Sequence, residues 1–158
     1  MAISNIEDFF KENPHLIADV VSYHLRLEGL LEKILKENLG DPSVLDFERM
    51  MFAQKASLTC AIGKLGRPLY EVIKRMNSLR NKFAHQMDFK PTFEEVHALI
   101  VLAGRAGVDF SDGIDSDDPN YARSLNYNEH MLLNSLFRNV FYYVAWRQGE
   151  DFWKDILA

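Results

Sequence analysis

Ten consecutive residues, Met76-Asn77-Ser78-Leu79-Arg80-Asn81-Lys82-Phe83-Ala84-His85, hold the densest set of side chains in the chain that could do chemistry. An imidazole exchanges protons around neutrality, and a guanidinium stays charged and offers a planar fork to phosphate oxygens. His85 and Arg80 are therefore the candidate catalytic pair, with Asn81 placed to orient either one. Lys82, Lys74, Arg75 and Asn77 lie around them as candidate phosphate contacts. Helical residues four apart share a face, so Asn77, Asn81 and His85 are expected to form a polar column beside Arg80 and away from Leu79 and Phe83. The same residues also suit a plain helix end, where a histidine in the last turn meets the dipole and caps free carbonyls.

Net charge of -5 argues against a general nucleic-acid binder, but the charge is unevenly spread. Between Lys64 and Lys90 stand seven basic residues and only two acidic ones, Glu71 and Asp88. A basic patch follows if that linear clustering survives folding. Other chemistry is missing: the chain has no Gly-rich phosphate loop, no nucleophile elbow and no His-Glu zinc pattern. The single Cys60 can form neither an internal disulfide nor a cysteine-based zinc site. The aspartates between positions 109 and 118 are out of register for a calcium loop. No metal and no cofactor is expected. Glu7, Asp8 and Glu12 stand where a secretory signal would need a basic stretch and then an apolar run. No apolar window approaches the roughly 20 residues that cross a bilayer. A cytoplasmic protein without membrane association is expected.

The elements that must position these residues read as helices, since no stretch shows sustained period-2 alternation. The expected fold is all-α, an up-down helical bundle of about five helices forming a single domain over 1–158. Ser4 with Glu7 makes a capping box for a short first helix, and Asn13-Pro14 ends it and starts a long second one. That helix carries Ile17, Val20, Val21, Leu27, Leu31, Ile34 and Leu35 as one stripe. A third helix is expected from Ser43 to a stop near Gly63 to Gly66, with Phe47, Met51, Leu58, Ile62 and Leu65 on one face. Pro68 opens the helix that holds the candidate site, with Leu69, Val72, Ile73, Met76, Leu79 and Phe83 inward, and Pro91 breaks it. Thr92 with Glu95 caps the next helix. Residues 107–128 read as a long acidic loop. The last helix, 129 to about 153, is apolar nearly all round, which implies a central position or a second chain packed on it.

The string Arg80-Asn81-Lys82-Phe83-Ala84-His85 resembles the signature of the HEPN superfamily, an Arg followed after four to six residues by His, often with Asn directly after the Arg. The wider run FAQKASLTCAIGKLGRPLYEVIKRMNSLRNKFAH is similar to the two central helices of its branch containing mannitol operon repressor-like proteins. The likeness extends to His24-Leu25-Arg26-Leu27-Glu28-Gly29-Leu30-Leu31-Glu32 and covers roughly positions 19–92. The resemblance implies a HEPN-like bundle and a metal-independent endoribonuclease, a toxin or defence component acting as a homodimer, with a possible antitoxin or regulatory protein partner. RNA carries its own nucleophile, the 2'-hydroxyl, so cleavage asks only for proton transfer and charge stabilisation. Arg80 would hold the developing charge, His85 would move protons, Asn81 would orient them, and Lys82, Lys74, Arg75 and Asn77 would bind RNA. The superfamily also contains non-catalytic members that bind nucleotides, proteins or regulatory complexes, which is the alternative. His24 and Glu28, four apart at the edge of an apolar stripe, read as a satisfied buried pair. Tyr142, Tyr143 and Trp146 read as packing rather than a base-stacking platform.

Overall fold

A computed structural model describes residues 14–149 except Met87, together with Asp151 and Lys154, and side chains from Ala18 onward. The short first helix expected at Ser4 lies outside the described residues. Within them the chain is all-helical, a bundle of α1 (Pro14–Asn38), α2 (Phe52–Ala61), α3 (Arg67–His85), α4 (Phe93–Arg105), α5 (Pro119–Ser124) and α6 (Glu129–Arg147). None of these helices is long and apolar enough to cross a membrane.

From α1 to α5 consecutive helices pack on each other, and α6 closes the ring by packing on both α4 and α1. The stripe of α1 is buried as its spacing requires, with Leu27, Leu31, Ile34 and Leu35 all but inaccessible. Leu27, Leu31 and Ile34 share one core cluster with Val72, Ile73 and Met76 of α3 and Ile100 of α4. Burying each such side chain contributes roughly 1.5–3 kcal/mol. Helix α6 is apolar on two sides because it is covered on two sides. Leu132, Leu133, Leu136, Phe137 and Val140 are buried, while Met131 and Trp146 remain exposed. Its central position thus accounts for nearly all of its apolar character within one chain.

Two expectations need correction. The helix expected from Ser43 to Gly63 is broken: a 3-10 turn spans Pro42–Val44, and α2 begins only at Phe52. Local side chains capture the backbone instead. Asp41 Oδ1 accepts the Ser43 N–H, and Gln54 Oε1 accepts the Met51 N–H at 2.8 Å, which starts α2 there. Phe47 is buried beneath the Lys36 ammonium, but Met51 is 70% exposed and so does not share its face.

The acidic stretch 107–128 is not an open loop. Val108, Phe110, Ile114 and Ala122 are buried in the core, and α5 forms within it, capped by Asp118. Polar contacts tie it to the bundle: Asp117 takes Arg105 at 2.7 Å, Asp112 takes the Tyr127 hydroxyl, and Arg123 reaches Glu94 on α4. The turn that leaves α4 depends on Gly107, at φ +101, where a Cβ would lie 2.6 Å from the Tyr143 hydroxyl.

Candidate functional site

Helix α3 follows Gly66, with Pro68 in its first turn, and its buried face is Leu69, Val72, Ile73, Met76 and Leu79. The helix ends at His85, and Gln86 returns its N–H to the Lys82 carbonyl at 2.9 Å. Beyond the end, Phe89 folds back edge-to-face on Phe83 with ring centroids 5.3 Å apart, and the Lys82 ammonium lies 5.3 Å from the Phe89 ring. The last turn is thus held from outside the helix, with His85 exposed upon it.

The expected polar column does not stand together. Lys74, Arg75, Asn81, Lys82 and His85 are exposed, whereas Asn77 and Arg80 are half-buried. Helical rotation explains the split, since five residues turn by about 500°, leaving Arg80 and His85 about 140° apart. Arg80 therefore belongs to the side of α3 that meets the core, not beside the His85 column. Its Nη1 donates to Asn81 Oδ1 at 3.2 Å, the one link between the two sides.

Asn77, expected as a surface contact to RNA, is engaged inside the fold. Its Oδ1 accepts from His24 Nε2 of α1 at 3.1 Å. His24 is only 4% exposed and stacks on Phe52 of α2, with centroids 4.1 Å apart and planes 27° from parallel. Burial pushes the His24 pKa below its ordinary value, and the Arg80 charge pushes the same way; the Asn77 bond and the Glu28 carboxylate offset only part of this. The imidazole held near Arg80 within one chain is thus His24.

The expected pairing of His24 with Glu28 is also corrected. Glu28 bonds to Lys55 of α2 at 2.9 Å, and Glu32 takes the same ammonium at 3.2 Å and Lys36 at 2.6 Å. Lys55 is buried. Burial by itself would favour its neutral form, but the hydrogen bonds and charges of Glu28 and Glu32 outweigh that and raise its pKa. Glu32 is lowered, first by the Lys36 bond and then by Lys55. His24, Glu28, Glu32 and Lys36 recur every four residues along α1, a polar seam buried at His24 and exposed at Lys36. That spacing was the available signal; Lys55, the one charged residue among the buried positions of α2, was the other.

The basic segment is partly neutralised. Arg67 and Lys74 both pair with Glu71, at 3.1 and 3.2 Å, and hold its carboxyl below the usual range, Lys74 more strongly. Arg75 and Lys82 make no ion pair with any described residue. The outer face near the end of α3 therefore presents Arg75, Lys82 and His85 to solvent. Among the described residues no three side chains of metal-ligating type converge. Comparison with protein-family models, with curated proteins and with solved structures gives no match.

Proposed function

We propose that the chain is a metal-independent endoribonuclease of HEPN type, acting as a homodimer, with Arg80 holding the scissile phosphate and His85 exchanging the protons of cleavage. The observation that supports this reading is the exposed His85 on a fixed last turn, with Lys82 and Arg75 exposed on the same outer face and Arg80 only half-buried. An exposed imidazole can reach a 2'-hydroxyl, while the cations supply the phosphate contacts. The divergence of Arg80 and His85 calls for a second copy, which would bring the His85 of one chain toward the Arg80 of the other and supply both an acid and a base. A neutralising protein partner would cover the same face.

The test is incubation of the purified chain with mixed RNA, with and without EDTA, alongside light scattering. Cleavage that survives chelation and leaves 2',3'-cyclic phosphate ends is expected, from a species of twice the 18.3 kDa chain mass. Intact RNA, or a monomer at micromolar concentration, removes the composite site.

A second reading, a non-catalytic regulatory or binding module on the same bundle, is favoured by one observation. Asn77 is bonded to His24 of α1 and Arg80 to its neighbour Asn81, so part of the constellation is already used inside the fold. Under that reading His85→Ala leaves every RNA substrate untouched and changes only binding to a partner.

A further inference from the structure

We propose that His24 is a positioning residue for Arg80, one that fixes the direction of its guanidinium, a role that rests on the cleavage reading above and adds to it a group from another helix. A planar fork takes two phosphate oxygens at once only when it is turned to meet them, whereas an ammonium binds as a point charge from any side. Arg80 is therefore the cation of the site whose orientation matters most. Its own bond, to Asn81 Oδ1 at 3.2 Å, is to its neighbour on α3 and moves with that helix. Fixing α3 against the rest of the bundle takes a contact to another element.

That contact lies one turn back. Asn77 precedes Arg80 on α3 at a spacing that sets the two about 60° apart around the helix and about 4.5 Å apart along it. Both are half-buried. Asn77 Oδ1 accepts from His24 Nε2 at 3.1 Å, across 53 positions of sequence. The donor is itself held, since His24 is buried and its ring lies on Phe52 of α2 with centroids 4.1 Å apart. One imidazole thus joins α1, α2 and the turn of α3 that leads to Arg80. Apolar packing at Met76 and Leu79 resists separation of the helices but has no direction, whereas a hydrogen bond weakens steeply once its angle is lost and so fixes the rotation of α3. Charge acts in the same place. The charged groups that act on His24 are Arg80 of α3 and Glu28 of its own helix, and Glu28 is bonded in turn to Lys55 of α2. Burial, with the Arg80 charge added to it, keeps the imidazole neutral where an ordinary histidine begins to charge. A protonated ring would be a second cation beside the guanidinium and would push it off its bearing.

The test is a double-mutant cycle on the full chain, read by RNA cleavage kinetics and melting temperature, together with an NMR titration of the His24 ring. His24→Phe keeps a ring to stack on Phe52 and loses the bond to Asn77. It is expected to lower kcat about tenfold, as a small misplacement of a catalytic group does, and to leave KM nearly where it was. His24→Gln, whose amide N–H can still reach Asn77, should recover most of that rate. In an Arg80→Ala background His24→Phe should lower the melting temperature again but slow cleavage no further, because what His24 positions is already gone. In the titration, Arg80→Ala should raise the pH at which His24 takes its proton. Should His24→Phe fail to fold, Asn77→Ala cuts the same tie from the other end and replaces it in the cycle. Normal cleavage by His24→Phe, no recovery in His24→Gln, or a further tenfold loss in the Arg80→Ala background overturns the positioning role, the last by showing that His24 acts on rate through the fold at large. A His24 titration indifferent to Arg80→Ala overturns it whether or not RNA is cut. A titration that moves as expected in a chain that cuts no RNA supports the tie between His24 and Arg80 and overturns the cleavage reading instead.

Discussion

On the side of α3 that meets α1, an asparagine and an arginine are half-buried near a stacked histidine; on the side that meets solvent, an asparagine, two lysines and a histidine stand exposed. The two sets are close to the same in composition. What separates them is water. Polar groups removed from solvent must satisfy one another, and His24, Asn77, Lys55, Glu28 and Glu32 have done so, each committed to a named partner. His85, Lys82 and Arg75 keep their hydration and with it their freedom to choose a ligand. Substitutions on the inner side should therefore read out as stability, and those on the outer side as function.

The largest expected effect is on the inner side. Lys55→Ala leaves two carboxylates about a quarter exposed and without their buried cation, at a cost of about 2–3 kcal/mol. Thermal unfolding should shift down by roughly 5–10 °C for a domain of this size. Lys74→Ala, which removes an exposed partner of Glu71, should leave the melting temperature where it is. Equal shifts for the two lysines would erase the distinction.

The outer side is tested by rate. His85→Ala should lower RNA cleavage by about 10²-fold while costing only about 0.3–1 kcal/mol of stability from the lost dipole contact. Arg80→Ala, at the boundary, should lower both rate and stability, and Arg80→Lys should restore rate only in part, because an ammonium lacks the bidentate fork. If His85→Ala cuts normally, the catalytic assignment fails; if it melts far below the wild type, the outer side is structural after all.

The smallest effect is in pH. His24 has a lowered pKa in the fold, so as pH falls through the ordinary histidine value of about 6.5 the unfolded chain takes up a proton that the folded chain refuses. Stability contributed by neutral His24 is whole above that value and declines below it until the lowered folded pKa is reached. Melting temperatures between pH 5 and 7.5 should therefore fall less steeply in His24→Gln than in the wild type. Parallel curves would mean that the buried imidazole does not resist protonation.

Much of this arrangement is legible in the sequence where burial repeats with a period. The stripes of α1 and α3 and the capping box of Thr92 and Glu95 follow from spacing and local hydrogen bonding, and the structure has them. Residues 107–128 are misread because their aspartates, serines, glycines and asparagines interrupt every apolar run. Val108, Phe110 and Ile114 dock singly, with no helical period to announce them. The break before Phe52 is similarly local, since Asp41 and Gln54 compete for backbone N–H groups that a helix would otherwise use. At the candidate site, Arg80, Asn81 and His85 are found by residue type, but their rotation about α3 separates them. The His24–Asn77 contact joins helices 53 positions apart, a distance that composition cannot see.

The closure of the helical ring by α6 bears on how the chain is made. Helix α1 packs on α6, and of all the described helices α6 is the last to leave the ribosome. Until then the face of α1 that α6 covers has no native neighbour, and α4 waits uncovered on its other side. The nascent chain thus carries two apolar surfaces whose natural cover has not been synthesised, surfaces of the kind that chaperones hold and that aggregate when left alone. One helix, the last of those described to be synthesised, covers both at once, so the bundle closes by a late capture event rather than by gradual accretion.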